Sequence, residues 1–217
     1  MRINDTVANA TRAAHDVGLA AWLGGAMFGK FAHNPSLVKI SSRPERGSVS
    51  NAAWNGYNPI NALGLGTAAL GWAAARATEA SNGDLSDRER ALSSAKDGLM
   101  ATAVLTGVLN GIQGARLAGQ APDGAVPVET GTKPATDTPA KAARIQRSLA
   151  ILGNLNIASG VALVAVNAIL AQTNHGRPST RRALRRSSSR NGHSPLWIGS
   201  GVVTAAALAD QLRRRLA

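Results

Sequence analysis

Two aspartates stand where apolar runs begin: Asp16 ahead of Val17, and Asp97 ahead of Gly98. Paired carboxylates in one lumen could carry protons or cations across a membrane if partners lay within reach. Lys30 is the base inside the first run, but it sits at the far end, about 20 Å from Asp16 along a helix. No direct pair can form within that helix. An acid in a first helical turn is also stabilised by the positive end of the helix dipole, and that alone accounts for both aspartates. Further polar groups fall inside the later runs: Asn110 and Gln113, then Asn154, Asn156 and Asn167. They could line a polar path, or hydrogen-bond across helices for ~1 kcal/mol each; packing is the simpler reading. No Walker loop, GxSxG or HExxH occurs. The Gly64-Leu65-Gly66 element lacks the strand-turn-helix setting of a dinucleotide site. Cysteine is absent, and His15, His33, His175 and His193 have no ligand spacing. No catalytic residue, cofactor or metal site is expected, and the chain is read as a non-enzyme.

The elements that must position these residues are set by charge distribution. Hydrophobic content is an ordinary 44%, yet Gly47 to Ala75, Gly98 to Ala115 and Ser148 to Asn174 hold no charged residue. Each approaches the ~20 residues that cross a bilayer as a helix. The expected fold class is all-α, an integral membrane helical bundle of four transmembrane helices over 17–32, 57–75, 98–117 and 148–172. Lys30 near a helix end can reach the interface. Asn34-Pro35 is expected to end the first span, and 36–55 to form a polar loop. Trp54 and Tyr57 suit the headgroup level, and Pro59 suits a first helical turn. Asp84, Asp87, Arg88, Glu89 and Arg90 predict a short surface helix. The Pro- and Thr-rich stretch 119–141 reads as a flexible loop. Residues 1–16 form an amino-terminal segment with no apolar core of a cleaved signal. The tail, 173–217, is Arg-rich and carries an apolar helix at 195–209, either interfacial or a fifth span.

Small residues recur at four-residue spacing: Gly25 and Gly29, then Gly107, Gly111 and Ala115. Such stripes let helix backbones approach, within the bundle or against another subunit. The starts of the first and third runs are alike (Ala14-His15-Asp16, Ala95-Lys96-Asp97). The second and fourth open with paired Asn before a Gly (Asn58, Asn61, Gly64; Asn154, Asn156, Gly160). The pattern suits a duplicated helical hairpin, or chance similarity among Ala- and Gly-rich helices, which is the simpler reading.

Net charge is +12, and the last 41 residues hold nine Arg against Asp210 alone. Arg181, Arg182, Arg185 and Arg186 are candidate contacts for anionic lipid headgroups. Nucleic acid is the less favoured partner, since no stacking aromatics accompany them. The bias in Lys and Arg between alternate connections places both termini in the cytoplasm. The runs AWLGGAMFGKFA (21–32) and AKDGLMATAVLTGVLNGIQG (95–114) resemble those of small, uncharacterised polytopic membrane proteins of high-GC actinobacteria. That resemblance implies location only. The functional expectation is a non-catalytic scaffold or accessory subunit of the cell membrane, partnered by lipids and by another membrane protein or itself. A small-solute or ion transporter or channel is the alternative, and a peripheral nucleic-acid binder acting through the tail is a second.

Overall fold

Among the residues described by a computed structural model, 3–78 and 85–175, there are four long helices and one small β-hairpin. The helices are α1 (Ile3–Phe28), α2 (Arg43–Thr78), α3 (Asp87–Ala118) and α4 (Ala140–His175). Strands β1 (Val128–Thr130) and β2 (Lys133–Pro134) pair antiparallel between α3 and α4. The Arg181 to Arg186 cluster and the apolar stretch 195–209 lie outside the described residues.

The helices form two antiparallel hairpins. Along α1 and α2 the contacts run in opposite directions: His15 with Ala68, Gly18 with Gly64, Gly25 with Tyr57, Gly29 with Trp54. Glycine permits this approach. A Cβ at Gly18 would lie 2.5 Å from the Gly64 carbonyl oxygen, and one at Gly64 would lie 2.9 Å from that of Gly18. Between α3 and α4, Lys96 meets Asn167 and Asn156 meets Thr106. The hairpins join through Trp22, which is fully buried. Gly64 of α2 and Gly160 of α4 both lie against it. Around Trp22 sit Leu19, Leu65, Ala68, Met100, Ala103 and Leu163.

The helices outrun the apolar runs within them, which changes several expectations. Asn34-Pro35 does not end the first helix. The chain passes through a π-turn (Gly29–His33), a helical turn (Asn34–Ser36) and a 3-10 turn (Leu37–Lys39). Pro35 starts a new turn, where its missing N–H is no loss. The polar loop shrinks to three residues, because α2 begins at Arg43, where Ser42 Oγ accepts from the Glu45 N–H at 3.4 Å with Pro44 in the first turn. Pro59 therefore lies inside α2. The charged stretch before Gly98 is not a separate helix but the opening of α3, held by a reciprocal capping box between Ser86 and Glu89. Asp16 and Asp97 consequently sit well inside their helices, and the dipole explanation fails for both.

The stretch 119–139 is folded rather than loose. Val126, Val128 and Ala142 are buried together, with Leu117 and Ala121 against them. Arg46 clamps the hairpin to the α1–α2 corner, donating to Ile40 O (2.7 Å), Glu129 O (3.2 Å) and Val38 O (3.3 Å). Gln146 of α4 donates to Thr130 O at 2.8 Å.

Length and composition support two membrane-crossing helices, α3 and α4, rather than four. Asp5, Arg12 and Asp16 lie within α1, and Lys30 follows it directly. Asn51, Asn55, Asn58 and Asn61 dilute α2. Only 17% of the apolar window of α3 and 22% of that of α4 is buried, whereas the core helix of a soluble protein would be mostly buried. These two helices point to association with a membrane.

Candidate functional site

All four helices contribute to one polar cluster, at the level where the apolar run of α3 begins. Lys96 is its centre, with 2% of its surface exposed. Its ammonium donates to Asn167 Oδ1 at 2.5 Å and lies 4.1 Å from the centroid of the Trp72 ring. A desolvated cation over an aromatic face gains more than an exposed one. The Asn167 amide turns its other end outward, and Nδ2 donates to Asp16 Oδ1 at 2.9 Å. One side chain of α4 thus joins a base on α3 to an acid on α1.

Asp97 faces the other hairpin. It accepts from Trp72 Nε1 at 2.8 Å and from Arg76, whose Nε and Nη2 each approach Oδ2 at 3.0 Å. Each aspartate lies on the first helix of a hairpin, and each is held by the second helix of the opposite one. His15, beside Asp16, is 4% exposed; its Nδ1–H donates to Ala68 O at 2.6 Å, and Nε2 is buried without a partner. Asp16 and Asp97 balance Lys96 and Arg76. Only Lys96 of the four is buried; Asp16 is exposed and Asp97 and Arg76 are half-buried, so the desolvation cost falls on Lys96.

The other anticipated polar residues are dispersed. Asn156 is buried and donates to Thr106 Oγ1 (3.0 Å) and Ala103 O (3.3 Å). Asn154 accepts from Lys30, tying α4 to the far end of α1. Asn110 is half-buried, and Gln113 lies in a cleft beside Arg116. The small-residue stripes divide. Gly25 and Gly29 are covered by the rings of Tyr57 and Trp54, and Gly107 meets Leu65. Gly111 has open space where a Cβ would stand, and Ala115 is exposed.

Lys96, Trp72, Arg76 and His15 were not anticipated as one site. A partial signal exists in the Ala-His-Asp and Ala-Lys-Asp triplets and in the four-residue spacing of Trp72 and Arg76. Among the described residues no group of His, Asp and Glu is placed to hold a metal ion. Neither a protein-family model, a curated protein nor a solved structure matches this chain.

Proposed function

We propose that this chain is a multi-pass protein of the cell membrane with a non-catalytic role, a bundle that acts as scaffold or accessory subunit among lipids and neighbouring membrane proteins. One observation carries the reading: large apolar side chains face outward on all four helices, while polar groups are buried beside the apolar core. Val17 and Phe28 of α1, Leu63 and Leu70 of α2, Leu105 and Val108 of α3, and Ile151 and Val161 of α4 all face outward, while His15, Ser93, Lys96, Thr106, Asn156 and Ser159 are buried. Water would penalise so many large apolar side chains exposed on every helix. Lipid favours it, and favours helices joined by small residues and interhelical hydrogen bonds.

In its full form the proposal has α1 and α2 crossing beside α3 and α4, with both termini cytoplasmic and the β-hairpin on the opposite side. The scaffold reading is preferred to a transporter because Asn154, Asn156 and Asn167 each have a partner on a neighbouring helix. Single cysteines in this thiol-free chain test the topology. With four spans, cysteines at Ser41 and Thr132 react from one side and a cysteine at Arg88 from the other. With only α3 and α4 crossing, Ser41 and Arg88 report the same side. A folded, monodisperse chain in buffer without amphiphile ends the membrane reading. Solute flux in proteoliposomes that is abolished by Asn156→Leu would replace the scaffold with a transporter.

A further inference from the structure

The far end of α3 and the start of α4 enclose a second polar site. A cleft of about 390 Å³ lies between them, lined by Gln113, Arg116, Gln120, Lys141, Arg144 and Ile145. It holds three bases and no acid. Arg116, Lys141 and Arg144 are exposed and make no ion pair or side-chain hydrogen bond among the described residues. Of the carboxylates in the α3–α4 connection, Glu129 pairs with Arg46 and Arg43 and Asp137 with Arg43, and Asp123 does not line the cleft.

Helix stability does not explain this arrangement. Arg116 suits the carboxyl end of α3, but Lys141 and Arg144 stand in the opening turns of α4, where the helix dipole disfavours a cation. Like charges across a narrow cleft also repel. An anion entering the cleft relieves both penalties, and it meets the opening turns of α4 together with the carboxamide of Gln113, while Gln120 Nε2 donates to Arg116 O at 2.9 Å. The surroundings identify the kind of anion. On α3, Leu105, Leu109 and Ile112 continue outward from the Arg116 face, and on α4 Ile151 follows two turns after Arg144; all four are exposed. A phosphate in the cleft would have an apolar helix face running from it toward the bundle middle, as a phospholipid requires.

We infer that this cleft binds the headgroup of an anionic phospholipid, with Arg116, Lys141 and Arg144 around the phosphate and the outer faces of α3 and α4 along the acyl chains. The inference rests on the membrane reading above, and the test separates the two. The full chain is placed in phosphatidylcholine nanodiscs carrying spin-labelled phosphatidylglycerol or phosphatidylcholine, and the motionally restricted fraction of each is measured. Labelled phosphatidylglycerol should be restricted in preference, and R116Q/K141Q/R144Q should reduce that preference about fivefold or more. R116K/R144K should retain most of it, as should R181Q/R182Q/R185Q/R186Q in the tail. The proposal falls if the cleft variant keeps the full preference, or if the tail variant alone removes it. Displacement of the labelled lipid by inorganic phosphate at millimolar concentration would reassign the cleft to a free anion and also overturn it. A chain that does not enter nanodiscs defeats the membrane reading itself; one that enters without lipid preference defeats only the cleft.

Discussion

Lys96 donates to the carboxamide of Asn167 across the α3–α4 interface at 2.5 Å, and the same amide holds Asp16 of α1. Lys96 is itself buried, and truncating it leaves a cavity over the Trp72 ring and an Asn167 oxygen without its donor, at about 3 kcal/mol. Lys96→Ala should therefore destabilise the bundle by about that amount, and Lys96→Met by less, because an apolar chain of similar length still fills the buried position. Asn167→Leu strips partners from both Lys96 and Asp16 and should cost about 2 kcal/mol. The double variant should cost less than the sum, with a coupling of about 1 kcal/mol. Denaturant titration of the detergent-solubilised chain measures all four corners; strict additivity would remove the cluster as a unit.

Glycine positions differ sharply in what they tolerate. A Cβ at Gly18 meets the Gly64 carbonyl oxygen at 2.5 Å and Ala68 N at 2.9 Å, both backbone atoms. Neither can move without parting the helices, so Gly18→Ala should cost about 2 kcal/mol. At Gly160 the nearest atom is Leu23 Cδ1 at 2.7 Å, followed by the Trp22 ring at 3.0 Å. A leucine methyl can shift, so Gly160→Ala should cost less. Gly111 and Gly153 have nothing within 4 Å, and Ala there should stabilise by about 0.5 kcal/mol through helix propensity. Thermal midpoints of the four variants should fall in that order, and Gly18→Ala matching Gly111→Ala would refute the close approach of α1 and α2.

Each of the four apolar runs lies within one long helical segment, so the periodic content of the fold was legible in the sequence. The helix starts were also written there, as Ser42 before Glu45 and Ser86 before Glu89. They were masked by the reading of charged residues as connections: a helix that extends beyond the apolar run carries its charges in helical turns. Val126 and Val128 alternate as strand residues do, but the surrounding Pro and Thr resemble a loose loop. What Arg46 and Gln146 supply to that hairpin comes from remote parts of the chain. Lys96 was the least accessible feature. Beside Asp97 and after a charged stretch it resembles a surface base, and its burial depends on Trp72 arriving from the other hairpin.

Acid should weaken the corner around His33. This residue lies beyond the apolar run of α1, its ring edge-on to Trp54 with centroids 6.3 Å apart, and its Nε2 is buried without a partner. Burial lowers its pKa below the usual 6.5. As pH falls, the unfolded chain takes up the proton first, so unfolding gains an advantage. His33 thus contributes stability above about 6.5 that is lost as pH drops toward its folded value. The unfolding midpoint should decline with acid more steeply in the native chain than in His33→Gln. Parallel pH profiles of the two would show that the imidazole is not held neutral.

Arg46 should decide whether residues 125–134 stay folded. Its guanidinium reaches the carbonyls of Ile40, Val38 and Glu129, and it lies 3.6 Å from the Glu129 carboxylate. Only 11% of its side chain is exposed, so these acceptors would find water poorly once it is gone. Arg46→Met keeps the apolar stem and removes every donor, which should cost about 2 kcal/mol locally. Arg46→Lys should fall between, because one ammonium cannot span acceptors arranged for a planar fork. Hydrogen exchange reads this directly. Amides of 125–134 should exchange about tenfold faster or more in Arg46→Met, while those of α3 and α4 near Thr106 and Asn156 stay unchanged. The reason is that the hairpin packs on the ends of the helices and the Asn156–Thr106 pair lies within them. Unchanged exchange at 125–134 would mean that Val126 and Val128, packed on Ala142, hold the hairpin without the arginine.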